Sequence, residues 1–148
     1  MALWQKDYFA IPSQKLREIY GVIPAGISEE DFLKRPWWNG ISASAPTRQE
    51  IAALLPVLKQ MDGMEIFGTD AGNRIQVVYS DDRKSIVELL IRINEMDDGC
   101  FVRQIVDVCA KHKLLLVAAA SGSVLPPDYE TIIKNMNLPD THGLRATA

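Results

Sequence analysis

The middle third of the chain alternates between apolar and polar residues, which is the period of a β-strand with one buried face. The alternation predicts three strands joined by short turns, over residues 64–69, 74–80 and 85–94. The predicted buried face consists of Ile75, Val77, Tyr79, Val87, Leu89, Ile91 and Ile93. Because tight turns connect consecutive strands, we expect the three to form an antiparallel meander.

Five other segments carry apolar residues at helical spacing. The predicted helices cover residues 13–20, 28–35, 47–61, 100–113 and 128–136. Thr47 and Glu50 have the spacing of a capping box and should begin the third helix. Pro56 lies inside that helix, so it should kink the helix or divide it into two shorter ones.

A nearly continuous apolar run over residues 114–120 predicts a buried strand in the same sheet, and residues 124–125 a short edge strand. These elements predict a single α+β domain over residues 1–138. Its sheet combines the antiparallel meander at about 64–94 with the buried strand, and helices pack on it. The segments outside the sheet are expected to be an irregular helical amino-terminal segment and a flexible tail, over residues 1–46 and 139–148.

Charge and cysteine content narrow the functional class. The 148 residues carry a net charge of -3, whereas a dedicated binder of nucleic acid or anionic membranes needs an excess of Lys and Arg. The amino terminus lacks the pattern of a signal peptide, and no apolar run is long enough to cross a bilayer. Cys100 and Cys109 fall in one predicted helix, too far apart for a disulfide. We therefore expect a cytoplasmic protein with reduced thiols.

The chain offers no residue set that specifies a reaction. His112 stands at a predicted helix end beside two lysines, where a cation suits the helix dipole, and no Cys, His and carboxylate spacing matches a zinc site. Residues 120–123 lack the first glycine of a nucleophile elbow, and residues 68–73 lack the lysine of a P-loop. We therefore expect no catalytic residues, no metal and no cofactor.

The outward face of the meander is the strongest candidate for binding, because it mixes charged and aliphatic residues as protein interfaces do. Its predicted members are Arg74, Gln76, Val78, Glu88, Leu90 and Arg92. The alternative is that the amino-terminal helices cover this face. Four further residues complete the predicted partner-binding set, namely Trp37, Trp38, Asp97 and Asp98. The tryptophans could equally anchor a loop on the core, and the acids could serve as helix caps.

Residues 67–78 read FGTDAGNRIQVV, and residues 86–94 read IVELLIRIN. They resemble a group of small bacterial proteins that pair a G-D-x-D-G-N-R-I-x-V hairpin with an I-x-x-R-I-D strand, followed by a helix and a strand. The resemblance extends over residues 64–136. This sequence departs from the group at Asn94, where the group tends to have Asp, and at Thr69, which replaces another expected residue. Some members look like immunity proteins of secreted antibacterial toxins. The motif itself implies a structural hairpin without catalytic residues.

The leading functional hypothesis is a cytoplasmic, non-enzymatic protein that binds a protein partner, in the manner of an immunity protein that occludes a toxin. It rests on the missing catalytic set, the acidic net charge and the resemblance. A first alternative is a small enzyme or ligand-binding domain whose pocket is lined by Asp70, Arg74, Glu88 and Arg92. A second alternative is a structural subunit that only forms homo-oligomers.

Overall fold

The computed structural model describes residues 5–41, 44–94 and 99–137, except the side chains of residues 44 and 45. Its strands are β1 (Gln5–Pro12), β2 (Val57–Met61), β3 (Met64–Gly68), β4 (Arg74–Tyr79), β5 (Ile86–Asn94), β6 (Leu114–Ala118) and β7 (Val124–Leu125). Its helices are α1 (Ser13–Tyr20), α2 (Glu29–Lys34), α3 (Ser44–Ala52), α4 (Cys100–Lys111) and α5 (Tyr129–Met136). The predicted tail at 139–148 lies outside the described residues.

The seven strands form one antiparallel sheet in the order β2-β3-β4-β5-β1-β6-β7. The predicted α+β class is therefore confirmed, as are the meander of β3, β4 and β5 and the buried strand β6. The sheet differs from the prediction at two places, one at its centre and one at its edge.

The central difference is β1, which pairs with β5 on one side and β6 on the other. The predicted irregular helical segment over residues 1–46 therefore contains the expected helices α1 and α2, but the prediction missed this strand. Residues Tyr8 to Ile11 are at most 3% exposed, so both faces of this strand are buried. A strand buried on both sides is apolar at consecutive positions and gives no alternating signal.

The edge difference lies in the segment predicted as a helix over 47–61. Helix α3 begins at Ser44, so Thr47 lies inside it and does not cap it, and the helix ends at Ala52. After Pro56 the chain forms β2, all five residues of which are exposed. Proline cannot continue a helix, and the residues beyond it pair with β3 instead.

One face of the sheet, which we call the core face, packs against α3, α4 and α5. Here Ile75, Val77, Leu89, Ile91 and Ile93 are at most 1% exposed, as predicted. Tyr8 lies in the same layer and donates a hydrogen bond of 2.8 Å to Oδ1 of Asn135 on α5. Val87 is the exception among the predicted core residues. A register shift between Val78 and Tyr79 leaves Val87 52% exposed and buries Ile86 instead.

The opposite face, which we call the outer face, is covered over β1 by α2 and the turn that follows it. The rings of Phe9 and Phe32 lie 4.6 Å apart, and Trp37 stacks on Phe32 at 5.8 Å. Ser28 caps α2 by accepting a hydrogen bond from the backbone N–H of Asp31. This cover fixes one end of the outer face, and it leaves the outer-face residues of β4 and β5 half-exposed.

Candidate functional site

The outer-face patch is the set of six residues that the sequence predicted on the outward side of the meander. The strand register brings them together: Arg74 lies opposite Arg92, Gln76 opposite Leu90, and Val78 opposite Glu88. All are neither fully buried nor fully exposed. The predicted part of the site that falls on β4 and β5 is thus one contiguous surface.

The two arginines of the patch lie directly opposite each other, an arrangement that is unfavourable unless each charge is neutralised. Arg92 is neutralised by Asp7 of β1, with an Nε–Oδ1 distance of 2.8 Å and an Nη2–Oδ2 distance of 3.2 Å. Arg74 pairs with Asp70 of the β3–β4 turn at 2.5 Å. The Nε atom of Arg74 is buried and has no hydrogen-bond partner among the described residues.

Glu88 differs from these paired residues. It is half-buried on the outer face, and no described residue donates a hydrogen bond to it or forms an ion pair with it. Burial raises the pKa of the Glu88 carboxyl above its ordinary value, because a carboxylate is less stable away from water. The patch therefore contains one carboxylate whose charge is uncompensated.

The glycine-containing segment at residues 68–73 builds the turn at the end of this patch. The Asn73 carbonyl accepts a hydrogen bond from the backbone N–H of Thr69, and the Thr69 hydroxyl accepts one from the N–H of Gly72. The side chain of Asn73 then accepts from the backbone N–H of Asn94 at 2.8 Å. The hairpin is thereby tied to β5, which accounts for the motif by structure rather than by chemistry.

The remaining predicted binding residues do not join the patch. Trp37 and Trp38 are 6% and 3% exposed, and both belong to the hydrophobic core. Their indole N–H groups donate to the carbonyls of Phe32 and Ala10. The structure thus favours the alternative of core anchoring for both tryptophans. Asp97 and Asp98 lie outside the described residues.

A polar network that the sequence did not reveal lies under a cleft of about 480 Å³ between α3, β2, β3 and the β4–β5 turn. Its centre is Glu65, a buried carboxylate on β3. Arg48 of α3 donates to both oxygens of Glu65, with an Nη2–Oε2 distance of 2.7 Å. Tyr79 and Gln60 also donate to this carboxylate. The sequence contained one indication of this network: Glu65 lies two residues before Phe67, so both side chains lie on the core face of the strand.

Burial alone would raise the pKa of Glu65, but the hydrogen bonds from Arg48, Tyr79 and Gln60 outweigh burial and lower it. Burial and the neighbouring Glu65 carboxylate raise the pKa of Tyr79 to about 12. The network therefore consists of an ionised acid and a protonated phenol at neutral pH. The network links α3 to the sheet through strands β2, β3 and β4.

His112 and the two cysteines are further side chains that can take part in acid–base or redox chemistry. His112 ends α4 and contacts Glu50 of α3 through Nε2. Cys109 is fully buried, which raises the pKa of its thiol to about 12, whereas Cys100 is exposed, and neither forms a disulfide. Among the described residues there is no group of three or more His, Cys, Asp and Glu side chains that could hold a metal. Within those same residues, no helix combines the length and apolar character required to cross a membrane.

Two clefts within the described part of the chain do not coincide with the patch. One lies above the Glu65 network, and the other is bounded by Trp38, Asn39, Asp81, Asp82 and Val87. Asp70, Arg74, Glu88 and Arg92 line neither of them. Comparison of the chain with protein-family models, with curated proteins and with solved structures found no match.

Proposed function

We propose that the protein is a protein-binding module whose partner docks on the outer-face patch. The observation that carries the proposal is the unpaired, half-buried carboxylate of Glu88 beside the aliphatic side chains of Val78 and Leu90. A charge that is already partly shielded from water loses less hydration on binding, and a cation from a partner would compensate it. Aliphatic neighbours would supply the buried area around that contact.

The chemistry of the patch indicates what the partner presents. Arg74 and Arg92 are held by Asp70 and Asp7, so they contribute a fixed surface rather than free charges. Glu88 is left to bind a Lys or Arg of the partner. The net charge of -3 would also steer a basic protein toward this module at low ionic strength.

The resemblance of the hairpin to small bacterial proteins, some of which look like immunity proteins, favours a secreted antibacterial toxin as that basic partner. An immunity protein acts by covering the active site of the toxin, and this requires a complementary surface but no catalytic residue of the immunity protein. Under this proposal the partner is encoded by the neighbouring gene, as is usual for a toxin and the protein that neutralises it.

The test is the affinity of purified protein for the product of the neighbouring gene, measured by calorimetry. Glu88→Lys should keep the melting temperature nearly unchanged, because a long lysine stem can reach water from a half-exposed strand position. The same variant should weaken binding at least about tenfold, since it replaces an attraction by a repulsion.

Glu130→Lys is the matched control, because Glu130 is an exposed glutamate on α5, the helix that packs on the core face. It should bind as the unmodified protein does. If the Glu88 variant is folded and also binds normally, the outer-face patch is not the interface. If the unmodified protein forms no complex with that gene product, the toxin assignment fails.

A further inference from the structure

The two edges of the sheet are finished in different ways. At the β7 edge, the segment around Gly26 pairs with the chain: the N–H of Val124 donates to the carbonyl of Ala25, and the N–H of Ile27 donates to that of Gly122. At the opposite edge, β2 pairs with β3 on one side. Its other side has no backbone hydrogen-bond partner among the described residues.

The open edge is also apolar. Val57, Leu58 and Met61 are 56%, 40% and 40% exposed. Soluble proteins usually protect an edge strand with charges, proline or a covering segment, because its free N–H and C=O groups can pair with another chain. Here the protection within β2 is limited to Lys59, and Pro56 stands just before the strand.

The surroundings of β2 are positively charged. The cleft beside Gln60 and Met61 is lined by Arg48, Arg83 and Lys84. Its one acid, Glu65, is already neutralised by Arg48. Among the described residues Lys84 has no ion pair, and Arg83 pairs only with the fully solvated Asp62. Asp81 and Asp82 of the same turn line the other cleft.

We propose that β2 is a second binding surface, on which an extended acidic segment of a partner protein adds an eighth strand to the sheet. The main-chain groups of β2 would provide the hydrogen bonds, and Val57, Leu58 and Met61 the apolar contacts. Carboxylates of the segment would lie opposite Lys59 and beside Lys84. This surface is separate from the outer-face patch and does not depend on it.

A second copy of the chain fits this edge poorly. Two β2 strands related by a twofold axis overlap fully when the axis passes through Lys59, which places Lys59 directly opposite its own copy. Like charges directly opposite each other in a sheet are destabilising. The same lysine attracts a carboxylate, so charge complementarity selects an acidic segment over self-association.

The experiment uses the full chain and two labelled peptides, TVEVEVT and TVKVKVT, with capped ends. Fluorescence anisotropy should show that the acidic peptide binds at least about fivefold more tightly than the basic one. Lys59→Glu should reverse this preference. Lys134→Glu, a charge reversal at an exposed position of α5, should leave it unchanged.

Two further measurements separate strand addition from simple charge attraction. Two versions of the acidic peptide, with N-methyl groups on the odd or on the even amides, each lose the backbone donors of one strand edge, and the version that loses the edge facing β2 should bind far more weakly. Amide hydrogen exchange within residues 57–61 should slow in the presence of the unmodified acidic peptide.

If both N-methylated peptides bind as tightly as the unmodified peptide, or if exchange at 57–61 is unchanged, the proposal is overturned. A concentration-dependent dimer whose formation slows amide exchange within residues 57–61 would also overturn it and assign the edge to a second copy. Glu88→Lys should not alter peptide binding, so failure of this surface and failure of the outer-face patch give different results.

Discussion

At the scale of single residues, the two partly shielded glutamates of the sheet have opposite surroundings. Glu65 faces the helices and is held by Arg48, Tyr79 and Gln60, so its charge stabilises the folded state. Glu88 faces outward and has no described partner, so its charge destabilises the folded state. Contacts within the folded chain compensate the buried charge of Glu65, but no contact with a described residue compensates that of Glu88. The proposed interface is therefore centred on Glu88.

The Glu88 charge should be visible in the pH dependence of stability. Burial raises its pKa in the folded state above the ordinary value of 4.5, so the folded chain binds that proton more tightly than the unfolded chain does. The free energy of unfolding contributed by Glu88 therefore falls as the pH rises from 4.5 through the raised folded-state pKa. Glu88→Gln removes this loss and should be as stable as the unmodified protein at neutral pH, or more stable by less than about 1 kcal/mol.

Urea unfolding of both proteins from about pH 4 to pH 8 tests this expectation. The pKa of Glu65 is lowered, so its contribution is lost as the pH falls, in the opposite sense. Both proteins share that contribution, and the difference between their curves therefore isolates Glu88. A constant difference across the whole range would mean that the Glu88 carboxyl is not shielded in the folded chain.

At the scale of elements, the β3–β4 hairpin depends on a backbone conformation that glycine alone adopts easily. Gly68 has a φ of 108°, and a Cβ placed there would lie 2.1 Å from the carbonyl oxygen of Asn73. Gly68→Ala should therefore lower the free energy of unfolding by at least about 2 kcal/mol, from backbone strain and the clash together. Chemical denaturation measures the loss.

Gly21→Ala is the control for that experiment, because Gly21 also has a positive φ, of 80°, but nothing lies within 4 Å of its added Cβ. It should lose about 1 kcal/mol from the backbone conformation alone. If the two variants are equally stable, the turn rearranges to accommodate the extra methyl group. The motif would then not be required to hold β3 and β4 in register.

The elements that the sequence predicted correctly are those whose signals are local. The alternation over 74–79 and 88–94 and the helical spacing of α1, α4 and α5 depend on residues close together in the chain. The helix predicted over 47–61 failed beyond Pro56, because its apolar spacing fits a helix, whereas the pairing of β2 with β3 is a contact that this spacing does not encode.

At the scale of the whole molecule, the sheet is completed by a contact across most of the chain. β1 enters between β5 and β6, more than 80 residues away along the sequence, and its register with β5 sets Tyr8 against Ile91. No local pattern encodes such a pairing. The six members of the outer-face patch could be predicted because they depend on the meander. The half-exposure of that patch could not, because it depends on how far α2 and Trp37 extend over the sheet.

The last prediction concerns the core that these long-range contacts create. Ile91 is fully buried and lies between Tyr8 of β1 and Ile75 of β4, so it joins the amino-terminal strand to the meander. Ile91→Asp would force an unpaired charge into this layer and should cost more than about 4 kcal/mol, a large fraction of the total stability of a domain of this size. Val87→Asp makes a similar change on the same strand at a position that is 52% exposed, and it should shift stability by about 0.5 kcal/mol or less. Circular dichroism during thermal unfolding compares the two variants. A similar loss in both would show that the register of β5 differs from the one described, since the contrast follows from the bulge that turns Val87 outward.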